Sequence, residues 1–184
     1  MNSVDLSWFK TLFQFKWLRI SAAILLGGFF IGFNLAFLDL ADGIPFRVFT
    51  PYLTRETYFS YYFASTLDKL DYIKFTLAEA VVVLGGGVLA GLVTVGALFI
   101  LGLAIGSAIP IIVEYSGAVV ISQSIAYTIF FSCSLIFLGA SGLSLGASML
   151  HLAKNTGWRI DRRTYDAFLM GLLFLILTVG VEVL

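Results

Sequence analysis

Residues 80–113 read AVVVLGGGVLAGLVTVGALFILGLAIGSAIPIIV, thirty-four positions with no charge between Glu79 and Glu114. As a single helix this stretch would extend ~51 Å, too long for a hydrocarbon layer about 30 Å thick even when strongly tilted. It therefore reads as two short helices, predicted at 77–95 and 97–113 and turning near 96–102. Pro110 breaks the pattern close to the far end. A span followed by a re-entrant half-helix is the competing reading.

The rest of the chain is built in the same way. Of 184 residues, 60% are hydrophobic and only 12% charged, with a mean hydropathy of +1.00. Soluble domains carry about 25% charged residues, so this chain has half the usual charge. That excludes an ordinary soluble enzyme, a disordered tail and a nucleic-acid binder working by charge. Eleven basic residues balance eleven acidic ones, and the single cysteine, Cys133, excludes an internal disulfide. The expected fold is all-α: one polytopic membrane helical bundle over 1–184, with about five transmembrane helices and flanking interfacial amphipathic helices.

Charged residues delimit the other spans. Arg19 and Asp39 bracket 20–38, a retained first helix too long for a signal-peptide core. A long or kinked helix is predicted over 119–150, and the last span over 165–184. Lys10, Lys16 and Arg19 flank the first span, and Lys154, Arg159, Arg162 and Arg163 crowd the loop before the last. Both clusters belong on the cytoplasmic side. An even number of crossings then separates them, which favours the two-helix reading of 80–113 and gives five spans. The expected location is the cell membrane, multi-pass, with the N-terminus cytoplasmic and the C-terminus outside.

Two flanking segments read as interfacial. Residues 6–18 carry Trp8, Phe9, Leu12, Phe13 and Trp17 with Lys10 and Lys16, a basic aromatic helix suited to the headgroup plane. An outer amphipathic segment is expected over 43–75, where Tyr52, Tyr58, Tyr61, Tyr62 and Tyr72 form an aromatic belt.

Candidate sites are few. Four GxxxG pairs, Gly28 with Gly32, Gly87 with Gly91, Gly102 with Gly106 and Gly142 with Gly146, lie within apolar segments. Each puts two glycines on one helix face for close backbone approach, in packing or in partner docking. Glu114, Gln123 and Asn34 are the polar groups available to a transport site. Glu79 reads as a residue near a helix start and Glu182 as one at a span end. The stretch Gly139-Ala140-Ser141-Gly142, followed by Gly146, resembles the serine motif of rhomboid intramembrane proteases. The only histidine, His151, is ten residues from Ser141 on one helix, ~15 Å away, beyond the reach of a general base. No catalytic, cofactor or metal site is expected.

From Trp17 onward the order of features resembles the stage II sporulation protein M family. The matching stretches are Val83-Leu84-Gly85-Gly86-Gly87-Val88-Leu89-Ala90-Gly91, Gly102-Leu103-Ala104-Ile105-Gly106 and Gly139-Ala140-Ser141-Gly142-Leu143-Ser144-Leu145-Gly146, with Gly180-Val181-Glu182 near the end. The family's Pro-His-Gly-x-x-Glu pattern falls on Ala126-Tyr127-Thr128-Ile129-Phe130-Phe131, which keeps none of its polar residues. The resemblance implies a membrane scaffold. The resulting expectation is a non-enzymatic scaffold or partner-docking subunit, whose partners are the lipid bilayer and other membrane proteins or further copies of the chain, with no nucleic acid. A small-molecule or ion transporter, or a substrate-binding membrane subunit of one, is the alternative.

Overall fold

The computed structural model describes residues 11–37, 69–89, 91–115, 118–154 and 160–183. These form five helices: α1 (Lys16–Phe37), α2 (Lys69–Gly85), α3 (Leu92–Tyr115), α4 (Ala118–Ala153) and α5 (Arg162–Val183), with a 3₁₀ turn over Gly86–Leu89. There is no strand among the described residues. Among the described residues, four segments are long and apolar enough to cross a membrane: Lys16–Leu35, Leu92–Ile109, Ile125–Ala153 and Arg162–Val181. The apolar part of α2, Thr76–Gly85, is shorter.

The break in the decisive stretch lies earlier than 96–102. Helix α2 ends at Gly85 and α3 starts at Leu92, so the predicted spans 77–95 and 97–113 are redrawn as 69–85 and 92–115. Three consecutive glycines, 85 to 87, each about 1 kcal/mol worse in a helix than alanine, end α2. Gly91 turns the chain at φ +79°, a conformation that other residues rarely adopt. Across this turn the Thr94 hydroxyl donates to the Val83 carbonyl at 2.9 Å, satisfying one of the last free carbonyls of α2. Gly96 and Gly102 instead sit inside α3, and the helix runs through Pro110 to Tyr115. A single missing N–H so near the helix end removes one bond and leaves the packed turns in place.

Helix α4 is the centre of the bundle. At 36 residues it is about 54 Å long, and 67% of its apolar window is buried, against 28% for α1 and α5. Contacts fix the direction of its neighbours. Gly139 lies on Leu98 and Gly142 on Thr94, so α3 and α4 are antiparallel. Ser134 bonds Gly171 and Ser141 bonds Thr164, so α5 is antiparallel as well. Thr76 meets Tyr127 while Gly87 meets Gly142, so α2 runs with α4. Helices α1, α3 and α5 thus point one way, and α2 and α4 the other.

The α1–α3 pairing is the most extensive among the described helices. A Cβ on Gly28 would overlap the Phe99 carbonyl, and one on Gly32 the Leu103 carbonyl. Reciprocally, Gly102 lies against the Leu25 carbonyl and Gly106 against that of Phe29. Both members of each GxxxG pair are therefore closed inside the chain, in a parallel backbone-to-backbone contact. Gly87 meets the backbone of Gly142, Gly91 lies against Leu143, and Gly146 is buried.

The described part of the N-terminal segment packs onto the bundle. Of 6–18, residues 6–10 lie outside the described residues. Leu12, Phe15 and Leu18 are buried against Phe137, Ala140 and Ala167 of α4 and α5. Burying each of these large apolar groups away from water contributes about 1.5–3 kcal/mol. Phe13 remains exposed. Most of the outer segment 43–75 also lies outside the described residues. Its end, from Lys69, is continuous with Thr76–Gly85 in α2, which places Glu79 well inside a helix and not near its start.

Gly102→Ala and Gly32→Ala are each expected to destabilise the bundle by about 1–3 kcal/mol through overpacking. Gly96→Ala has nothing within 4 Å of the added carbon and should be neutral or stabilising by up to about 1 kcal/mol. Denaturation in detergent followed by circular dichroism measures the contrast. Equal effects at all three positions would refute the α1–α3 contact.

Candidate functional site: a polar cavity at the basic end

The alternating helix directions bring the start of α1, the end of α4 and the start of α5 to one end of the bundle. Lys16, Arg19, Lys154, Arg162 and Arg163 gather there. The opposite end carries the end of α1, the start of α2, the end of α3 and the start of α4. Asn34, Glu114 and Gln123 all fall on helices at that opposite end. Asn34 is exposed and donates to the Phe30 carbonyl of its own helix at 2.6 Å. The side chains of Glu114, Gln123 and Glu182 lie outside the described set.

Between α4 and α5 runs a row of small hydroxyls. Ser134 donates to the Gly171 carbonyl at 3.0 Å, and Ser141 donates to the carbonyls of Phe137 and Thr164 at 3.1 and 3.0 Å. Ser144 and Thr164 share a hydroxyl–hydroxyl bond of 2.7 Å, and Ser148 donates to the Ser144 carbonyl. Their spacing, with Ser141 and Ser148 seven residues apart and Ser144 between them, keeps the row on one face of α4. With its proton on backbone carbonyls, Ser141 serves helix packing. The same logic covers Ser21, which crosses from α1 to the Ile136 carbonyl of α4 at 2.8 Å.

The row opens at the basic end into a cavity of about 720 Å³, within the ordinary range for small-ligand sites. Its walls combine Phe15, Lys16 and Trp17 of the N-terminal turn, Ser144, Ala147, Ser148 and His151 of α4, and Asp161 and Arg163 at the start of α5. Each wall has a local cause. The α1 helix restarts at Lys16 after the turn at Gln14, which buries Phe15 and leaves Lys16 exposed. The Lys16 ammonium stands 4.7 Å from the Trp17 ring centroid, a cation–π distance. Asp161 caps α5: its carboxylate accepts from the Arg163 N–H at 3.1 Å and its carbonyl from the Thr164 N–H at 2.9 Å. One carboxylate is thus committed to the backbone, while two full cations and an imidazole line the same space. Such an arrangement offers an anion cationic and hydroxyl donors beside an apolar wall.

The spacing reading treats Lys16 and Arg163 as orientation signals and His151 as a boundary residue. It does not bring them together, because 147 residues separate Lys16 from Arg163 in the sequence. The available signal is that both basic clusters adjoin helix ends required to share a side. There is no group of three metal-ligating side chains among the described residues.

Ser144→Ala and Thr164→Val should each cost about 0.5–1.5 kcal/mol in detergent unfolding, since each leaves a buried hydroxyl or its site unpaired. The double variant is expected to cost less than the sum, and strict additivity would contradict the bond. Compared with family models, curated proteins and solved structures, the chain matches none.

Proposed function

We propose that this chain is a five-span membrane protein that acts as a scaffold, holding partners in or at the membrane. Its apolar outer surface carries the membrane part of this reading. The nine buried polar residues among those described are all serine or threonine, and each has a hydrogen-bond partner. The outer faces instead present Leu26, Phe30, Val81, Val82, Leu173 and Ile176. Water disfavours so much exposed apolar surface; hydrocarbon favours it. The alternating directions of α1 to α5, with the basic residues at one end, support five crossings and a cytoplasmic N-terminus. The apolar part of α2 with its 3₁₀ turn, 76–89, is about 23 Å long, shorter than the other spans, so the second crossing rests on the alternation of helix directions.

The scaffold part rests on the interlocked frame around α4. Glycine contacts, side-chain-to-carbonyl bonds and the docked N-terminal turn leave little freedom for the rocking that alternating access requires. Because the glycine faces are closed within the chain, docking falls to the outer helix faces and the basic end.

Two experiments test this reading. Reporter fusions near residues 10 and 155 should both report the cytoplasm and a C-terminal fusion the opposite side; a shared side for all three overturns five crossings. Native mass spectrometry from nanodiscs should show the chain with a stoichiometric protein partner or further copies of itself. A strictly monomeric protein that co-purifies with nothing would sink the scaffold role.

A further inference from the structure

The cavity at the basic end is not used by the scaffold reading, and its chemistry is specific. Lys16 and Arg163 reach it from elements distant in sequence, His151 closes it from the last turn of α4, and the Ser144 and Ser148 hydroxyls line its wall. Two fixed cations against one carboxylate, already engaged as a helix cap, select an anion. Arginine beside lysine and hydroxyl donors suits the oxygens of a phosphate group. The remaining lining is Gln14 and an apolar wall of Phe15, Trp17 and Ala147. A fully hydrated phosphate has no use for that wall, whereas the glycerol and first acyl carbons of a lipid do. The depth agrees: the cavity lies where the apolar runs of α1, α4 and α5 give way to charge, the level of lipid headgroups. Trp17, with the Lys16 ammonium beside its ring, is an amphipathic anchor of the kind enriched at that level.

We propose that this cavity binds the phosphate group of an anionic membrane lipid, with Lys16 and Arg163 as its principal contacts. The inference rests on the membrane part of the proposed function and is independent of the scaffold part. A site of this kind anchors the basic end at one leaflet and holds the N-terminal turn, α4 and α5 together through a shared counter-ion.

Native mass spectrometry of the full chain in mild detergent, titrated with phosphatidylglycerol or phosphatidylcholine, tests it directly. The wild-type protein should retain phosphatidylglycerol about tenfold more tightly than phosphatidylcholine, and Lys16→Gln with Arg163→Gln should abolish that preference. Arg162→Gln, at an exposed arginine outside the cavity lining, should change it less than about twofold. Lys16 is itself exposed, so Lys16→Gln alone leaves the fold intact and should still lower the preference about threefold. An equal preference in the wild type and in both Lys16 variants overturns the site, as does an equal loss on Arg162→Gln. Inorganic phosphate is the second arm: millimolar phosphate should leave the lipid adduct in place, and its full displacement would assign the cavity to a soluble phosphate compound instead. Flotation with phosphatidylcholine vesicles separates the underlying reading. A chain that floats but shows no lipid preference loses only this site, whereas one that stays in solution without detergent loses both.

Discussion

Direct contact between the backbones of α1 and α3 is the constraint on which the arrangement depends. Gly28 and Gly32 meet the carbonyls of Phe99 and Leu103, and Gly102 and Gly106 meet those of Leu25 and Phe29. Any side chain at these positions would push the helices apart, because the obstacle is backbone and has no rotamer to change. The contact also fixes direction. Two helices that lie parallel but are separated in sequence need a return segment between them, and α2 supplies it. From there the alternation continues through α4 and α5, and the basic residues of three helices arrive at one end. The cavity exists because of this convergence.

Around that contact, the bundle is held by short polar side chains bonded to backbone carbonyls. Thr94 bonds the end of α2, Ser21 links α1 to α4, and the serine row joins α4 to α5. Small hydroxyls serve because they allow close approach and find an acceptor within the same or the adjacent helix. In apolar surroundings each bond also removes the cost of an unpaired buried group. The result is an apolar core crossed by paired hydroxyls, with large apolar side chains also on the outer faces.

Much of this was legible in the chain and some was not. The ends of α1, α4 and α5 fall within a few residues of the predicted spans because charged residues mark them. The glycine pairs were visible as close-approach faces, but GxxxG spacing does not identify the partner helix. That requires knowing which two faces meet. The α2–α3 break was misplaced toward 96–102 by dividing a charge-free stretch near its middle. The triplet Gly85 to Gly87, with Gly91 beyond it, is the better signal, since clustered glycines concentrate their helix cost at one point. Likewise, the amphipathic pattern of Leu12, Phe15 and Leu18 does not reveal whether lipid or protein covers its apolar face. Packing against Phe137 and Ala167 decided that.

The sequence by itself determined that this chain is helical, apolar in long runs and poor in reactive groups, with its basic residues grouped around particular helix ends. Those properties follow from composition and local spacing, which act along the chain. Tertiary structure alone decided which glycine face meets which, where the N-terminal turn docks, and that Lys16, His151 and Arg163 share one cavity. These depend on contacts between residues far apart in sequence, and such contacts are selected by the shape and direction of whole helices.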